Sequence, residues 1–317
     1  MTHLVETMAY AGAVPWHGLG NSLTGRQPVE VWQREAGMDW SIAHSDVLFN
    51  VADDGMHIRR HADARVLYRS DTLAPLSVVS PRYKVVQPAE VLAFYRDLVS
   101  AGGFELETAG VLKGGRKLWA LARTGQATLL KGGDRVKAYL LLATSCDGSL
   151  CTTAQFTSVR VVCNNTLQMA VAGRSGAVRV PHSTVFDPVA VKAELGLGLS
   201  GWDAFIGHIK ALSQRPVSPE EARQFFAGVL DEPVADDPDA PASKALQQLT
   251  ALYGGLGMGS LLGSSRGTAW GLVNAVTEFV DHHRRARSQD YRLDSAWFGQ
   301  GAQLKQQALQ RAGALLT

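Results

Sequence analysis

Cysteine is scarce: the 317-residue chain has three, Cys146, Cys151 and Cys163. The number is odd and the spacing lacks the paired Cys-x-x-Cys arrangement of a tetrahedral zinc site, so reduced, structural thiols are expected. Long apolar runs are missing too. No stretch approaches the roughly 18 residues a membrane span needs, and MTHLVETMAY has no basic region leading into an apolar one, so the expected location is the cytoplasm, away from any membrane. Neither sign of charge dominates, with 31 Lys and Arg against 29 Asp and Glu. A hydrophobic share of 46% is nonetheless enough for a proper core, and the length suits one large or two ordinary domains.

The near-zero net charge hides an uneven distribution. Residues 1–81 carry six Lys/Arg against nine Asp/Glu, residues 82–179 thirteen against six, and residues 180–317 twelve against fourteen. The middle segment therefore holds the basic excess that a phosphate-binding face requires, because each cation that neutralises a phosphate releases condensed counterions. A solvated basic surface with no partner would show the same excess.

The three segments also differ in periodicity. The first, 1–81, alternates SDVLFNV, HIRRH, ARVLYRS and PLSVVS with the turn signals DDG, HAD and DTLAP, which predicts a β-rich segment of short strands. One helix is expected in it, at PVEVWQREAG, with Pro28 near its start and Gly37 as its stop. VPWHGLG, just ahead, is expected to be an ordered loop anchored by Trp16, with His17 as a candidate ligand or base. In 82–179, PAEVLAFYRDLVSAGG predicts a helix over 88–103, because Val91, Leu92, Tyr95, Leu98 and Val99 recur at intervals of three and four. The period then becomes two. FELETAGVL, KLWALAR, RVKAYLLLATS and LCTTAQFTSVRVVC, separated by KGGR, KGGD and CDGS, predict a four-stranded antiparallel meander with Trp119 in its core. After VRVVCNNTL a second helix is expected, capped by Asn165 with Gln168 three residues on.

Residues 180–317 are expected to be helical, through FDPVAVKAELGLG, GWDAFIGHIKALS, SPEEARQFFAGVL, ASKALQQLTALYG and GTAWGLVNAVTEFVDHHRRARS. SPEE at 218–221 is a capping box with proline at the first helical position. DEPVADDPDAP, 231–241, predicts an acidic, proline-rich loop. GGLGMGSLLGSS has the glycine of a phosphate loop but lacks Gly-Lys-Ser/Thr and a feeding strand, so it predicts no nucleotide site. Glu278 and His282 lie one helical turn apart without a His-Glu-x-x-His motif, which predicts a surface-charged helix. The fold class is thus α+β: an antiparallel meander followed by a helix, backed by helices.

VPWHGLG, SPRYKVVQPAEVLAFYRDLV, TAGVLKGGRKLWALA, DGSLCTTAQFTSVRVVCNNTL and NAVTEFVDHHR together resemble the phage/plasmid-like proteins of an uncharacterised domain-of-unknown-function family. That resemblance implies a role in mobile DNA and brings no residue roles. By order of elements, the meander and following helix are similar to the strand–strand–strand–helix unit of the Rad-type single-strand annealing proteins. This second likeness implies a homo-oligomer, in closed form a ring, that holds single-stranded DNA and needs no cofactor.

A single strand is held by cations along its backbone and aromatic planes for its bases. Arg82, Tyr83 and Lys84 supply both at the mouth of the first helix of that segment. Lys113, Arg116 and Lys117 surround one hairpin turn, and Lys131, Arg135 and Lys137 the next. Arg160 and Asn164 are the two remaining candidates, one for phosphate and the other for phosphate or a base edge. No catalytic or metal-binding residue is expected on this reading. Two alternatives stand beside it: a metal-dependent nuclease or hydrolase using His17, Asp147, His282 and His283, or an inhibitor of a host protein acting through the 231–241 loop.

Overall fold

The protein's structure is a computed structural model that describes all residues except 1–4, 13–19, 52–56, 97, 100–102, 161–164, 169, 172–173, 176, 197–200 and 234–241. Residues 5–6, 160, 165–168, 170–171, 174–175, 196, 201 and 289–290 are described by backbone alone. The VPWHG part of the first loop, Cys163, Asn164 and most of the acidic loop therefore lie outside the described residues. The fold is mixed α+β, with β-rich sheets towards the N-terminus and helices towards the C-terminus. It divides into two compact units, one of residues 1–125, 140–155 and 177–195 and the other of residues 126–139, 156–176 and 196–317.

In the first unit, β1 (Val5–Ala11) pairs in parallel with β2 (Asn21–Leu23). The expected helix follows as α1 (Val29–Glu35), with Pro28 at its N-cap and Gly37 beyond its end at a φ of 66°. A separate antiparallel sheet is built from β3 (Ile42–Asn50), β4 (Ile58–Arg69) and β5 (Pro75–Val79). HIRRH and ARVLYRS are one strand here, not two. The HAD stretch between them is absorbed as a bulge, because the register jumps from Asp46 opposite Arg65 to Val47 opposite His61.

The helix expected over 88–103 is interrupted early: α2 (Pro88–Ala93) ends before Phe94 and Tyr95. Glu90 accepts the Gln87 backbone N–H at 2.6 Å, while the Gln87 side chain bonds the Ile42 backbone in both directions. Tyr95 is fully buried just past the break. Its hydroxyl lies 2.8 Å from the Ala120 carbonyl and 3.0 Å from that of Leu140, and burial raises its pKa well above the ordinary value. Val99, which the helical period places on the apolar face, is exposed.

The predicted meander is present as β6 (Glu105–Leu112), β7 (Lys117–Leu130), β8 (Asp134–Ser145) and β9 (Thr152–Arg160), hydrogen-bonded in that order. A 3-10 turn over Lys113–Gly115 joins the first two strands, and β1 extends the sheet by pairing with β6. Trp119 is buried as expected. β7 is buried on both faces from Lys117 to Ala122 and then alternates, whereas β8 alternates first and is buried continuously from Ala138 to Ser145. The Leu-Leu-Leu run of β8 is what two-sided burial demands.

The meander does not run into a helix. Residues Asn165–Gln168 form β10, antiparallel to β9, with Asn165 opposite Arg160. The Asn-x-x-Gln spacing matches a capping box, but Thr166, Leu167 and Gln168 alternate as a strand does, and pairing with β9 satisfies the backbone groups a cap would have served. Short strands β11 (Ala170–Val171) and β12 (Arg174–Ser175) pair with each other, and β13 (Ala177–Val180) returns along β9.

The helices follow as expected: α3 (Pro188–Gly196), α4 (Gly201–Gln214), α5 (Pro219–Leu230), α6 (Lys244–Ala251) and α7 (Ala269–Glu278). Ser218 and Glu221 form the predicted capping box with Pro219 at its first position. The Arg215 guanidinium beside Glu221 holds that carboxyl down at about 2. None of the described helices is long and apolar enough to cross a membrane.

α7 corrects one expectation. It is no surface-charged helix, because all its residues are buried, Glu278 included. Both Glu278 oxygens accept the Met258 backbone N–H, at 3.0 and 2.9 Å, so the carboxylate serves the glycine-rich loop. A π-helical turn, Phe279–His283, continues α7, and α8 (Gln289–Phe298) and α9 (Gln300–Ala314) complete the chain. Asp281 in that turn is buried and accepts from Lys305 Nζ of α9 at 2.8 Å. Burial lowers the Lys305 pKa and Asp281 opposes the shift. Lys305→Met should lower stability by about 3–5 kcal/mol in urea denaturation by removing the cation from a buried carboxylate, and adding Asp281→Leu should recover most of the loss. A single-variant cost below about 1 kcal/mol would show that the pair is not a closed one.

Candidate nucleic-acid interface

The turn between β8 and β9, Ser145–Leu150, organises one end of the meander. Gly148 takes a φ of 75° there, and Asp147 Oδ1 accepts the Ser149 backbone N–H at 2.9 Å, the local bond that makes Asp-Gly a turn former. Two basic segments are fastened to this turn. The Tyr83 hydroxyl donates to the Ser145 carbonyl at 2.9 Å and accepts the Gly148 N–H at 3.3 Å. On the other side, the Cys146 N–H donates to the Arg116 carbonyl at 2.9 Å.

His182, which the sequence does not signal, locks the first segment. Its ring stacks on Tyr83 with centroids 4.4 Å apart, and its nitrogens lie 3.1 Å from the Lys84 carbonyl and 2.9 Å from that of Leu150. The Lys84 N–H donates to the His182 carbonyl at 2.6 Å. Tyr83 is thus half-buried, and burial pushes its phenol up to about 12. One face of its ring is occupied by His182, so it orients Arg82 and Lys84 as well as offering an aromatic surface.

The exposure of the candidate cations differs. Arg82, Lys84 and Arg116 are exposed, and among the described residues none of them has a carboxylate partner. Several other arginines of the same unit are paired, among them Arg69 with Asp71, Arg96 with Glu30 and Arg123 with Glu105 and Glu107. Lys113 is half-buried at a φ of 55°. Lys117 is buried, and its charge helps hold Asp147 below the usual carboxylate range: burial opposes that ionisation, but the Ser149 bonds, Ser145 and Lys117 together outweigh it.

Lys131, Arg135 and Lys137 belong to the other unit. Lys131 and Arg135 are exposed and Lys137 is half-buried at the turn into β8. Asp134, which begins β8, is fully buried and accepts from Ser264 Oγ at 2.6 Å and from Trp270 Nε1 at 3.3 Å. Gly132 sits so close to Gly263 that a Cβ there would lie 2.7 Å from its backbone nitrogen. The glycine-rich 254–265 stretch therefore packs beneath this turn. Arg160 is placed only by its backbone, at the end of β9, and Asn164 lies outside the described residues.

Of the alternative catalytic set, Asp147 belongs to one unit and His282 and His283 to the other. Asp147 serves its own turn, and His283 Nε2 lies 3.6 Å from Glu278 Oε1. Among the described residues no three His, Cys, Asp or Glu side chains are grouped as metal ligands. His17 lies outside them.

The chain belongs to the family described as domain of unknown function (DUF932), whose model matches residues 75–297. No curated protein matches the chain, and neither does any solved structure. The matched span contains the meander and every candidate cation named above.

Cys146 is buried in the same turn, its Sγ 3.6 Å from the Gly115 carbonyl, and burial pushes its thiol up to about 12. Cys151 is exposed. Under native conditions at pH 8, iodoacetamide should label Cys151 and leave Cys146 unmodified until denaturant is added, since thiolate is the reactive form. Peptide mass spectrometry reads the order directly, and native labelling of Cys146 at the rate of Cys151 would mean that the turn opens.

Proposed function

We propose that this protein binds single-stranded DNA through its phosphates and promotes annealing, without a cofactor. The observation that carries this reading is the trio Arg82, Lys84 and Arg116: exposed cations without carboxylate partners among the described residues, Arg116 bonded by its carbonyl to the Ser145–Leu150 turn and Arg82 and Lys84 flanking Tyr83, whose hydroxyl bonds the same turn. Exposed charges without carboxylate partners, in a unit where Arg26, Arg34, Arg60, Arg69, Arg96 and Arg123 have them, are suited to an external anion. Lys131, Arg135 and Lys137 supply a second basic turn, in the other unit.

Annealing follows from the same physics, since cations that screen two phosphate backbones lower the repulsion between strands. A role in phage or plasmid recombination, and assembly into a homo-oligomeric ring, are the biological setting and the form this reading implies. The likeness to Rad-type annealing proteins now rests on the meander alone, because β10 stands where their helix would.

Fluorescence anisotropy with labelled oligonucleotides tests the proposal. Binding to single strands should exceed binding to duplex, and log affinity should fall with log salt by about 0.7 per phosphate contact. Arg82→Ala/Lys84→Ala/Arg116→Ala should reduce that slope by about 2 while leaving the fold intact. Equal affinity for duplex, a flat salt response, or an unchanged slope in the triple variant would overturn the proposal.

A further inference from the structure

The stretch VDHHRRARSQDYR contains a second, independent concentration of positive charge. The π-helical turn ends at His283 and α8 begins at Gln289 behind its Ser288 cap, so Arg284, Arg285 and Arg287 lie in the connection and Arg292 in the first turn of α8. All four line a single cavity of about 640 Å³ together with Tyr291 and Gln300, and among the described residues no carboxylate lines it.

The guanidiniums in this cavity are poorly satisfied. Arg284 Nη2 donates to Gln300 Oε1 at 3.3 Å, and Arg292 Nη1 donates to the His282 carbonyl. Arg284 Nη1 and Arg292 Nε are buried with no acceptor. Arg285 and Arg287 are exposed, and among the described residues they have no hydrogen-bond or ion-pair partner. Four like charges around one cavity repel one another, and a buried charged N–H without an acceptor is costly. A bound polyanion relieves both.

Planar guanidiniums donate pairs of bonds to phosphate oxygens, which makes Arg the residue of choice for such ligands. The volume is far more than one phosphate fills and lies in the range of small-molecule sites. Tyr291, 41% exposed, lines the same cavity and adds an aromatic surface beside the charges. We propose that this cavity binds a nucleoside polyphosphate, with Arg284 and Arg292 receiving the phosphates at its floor and Arg285 and Arg287 closing over them at its mouth. The site belongs to the other unit from the turn that carries the proposed strand binding, and the inference does not depend on that reading.

Isothermal titration with ATP, tripolyphosphate and AMP at constant ionic strength tests it. ATP and tripolyphosphate should bind, and AMP should bind at least about tenfold more weakly because it carries fewer charges. Arg285→Ala/Arg287→Ala, at exposed positions, should weaken ATP at least about tenfold while leaving the melting temperature of the free protein unchanged. Arg82→Ala/Lys84→Ala/Arg116→Ala should leave ATP affinity as it was, so strand binding and nucleotide binding fail separately. No heat with ATP or tripolyphosphate at millimolar concentration would overturn the proposal. So would equal ATP affinity in Arg285→Ala/Arg287→Ala, or displacement of ATP by an oligonucleotide lacking terminal phosphate.

Discussion

Two-sided burial of β7 and β8 is the constraint on which the rest depends. Where both faces of a strand are covered, no polar group at its margin can fall back on water. Polar groups along these two strands are accordingly met by specific bonds. Tyr95 places its hydroxyl between the Ala120 and Leu140 carbonyls, Tyr83 closes over Ser145, and Asp134 takes hydrogen bonds from Ser264 and Trp270. The break in α2 and the packing of the glycine-rich stretch around Gly263 both accompany this requirement.

The same requirement governs the charges. Buried ions have partners, Lys305 in Asp281 and Glu278 in the Met258 N–H, because an unmatched one would be too costly. Exposed cations carry no such obligation. Lys84 and Arg116 can therefore be kept in place by their backbones, through the Lys84–His182 and Arg116–Cys146 bonds, while their side chains stay available. The arginines at 284–292 are the intermediate case: two of them have a buried donor without an acceptor, a state a bound anion relieves. Backbone-anchored exposed cations suit a flexible polymer passing over a surface, and partly buried ones suit a compact ligand held in a cavity.

Much was legible in the residues. The glycine pairs of KGGR and KGGD and the Asp-Gly of CDGS marked the hairpins, the period of two marked the strands, and SPEE marked the start of α5, because each is a local preference that tertiary context left alone. The failures came where a local signal was ambiguous. Asn165 and Gln168 have the spacing of a cap, but β9 was present to pair with, and cross-strand bonding replaced the cap. HAD has the composition of a turn, yet a register shift carried it inside β4.

By itself, the sequence determined the α+β class, the meander with its turns, the main helices and the concentration of basic residues in 82–179, all of which depend on neighbours in the chain. Tertiary structure alone decided which charges are exposed. Lys117 and Lys113 read as equals of Arg116, and Glu278 as a surface residue, until packing buried Lys117 and Glu278 and half-buried Lys113. It also brought His182 to Tyr83 across nearly a hundred residues and gathered Arg284 and Arg292 around one cavity with Gln300. Burial and long-range contact are properties of the folded surface, and no local pattern encodes whether a given lysine faces water or a neighbouring strand.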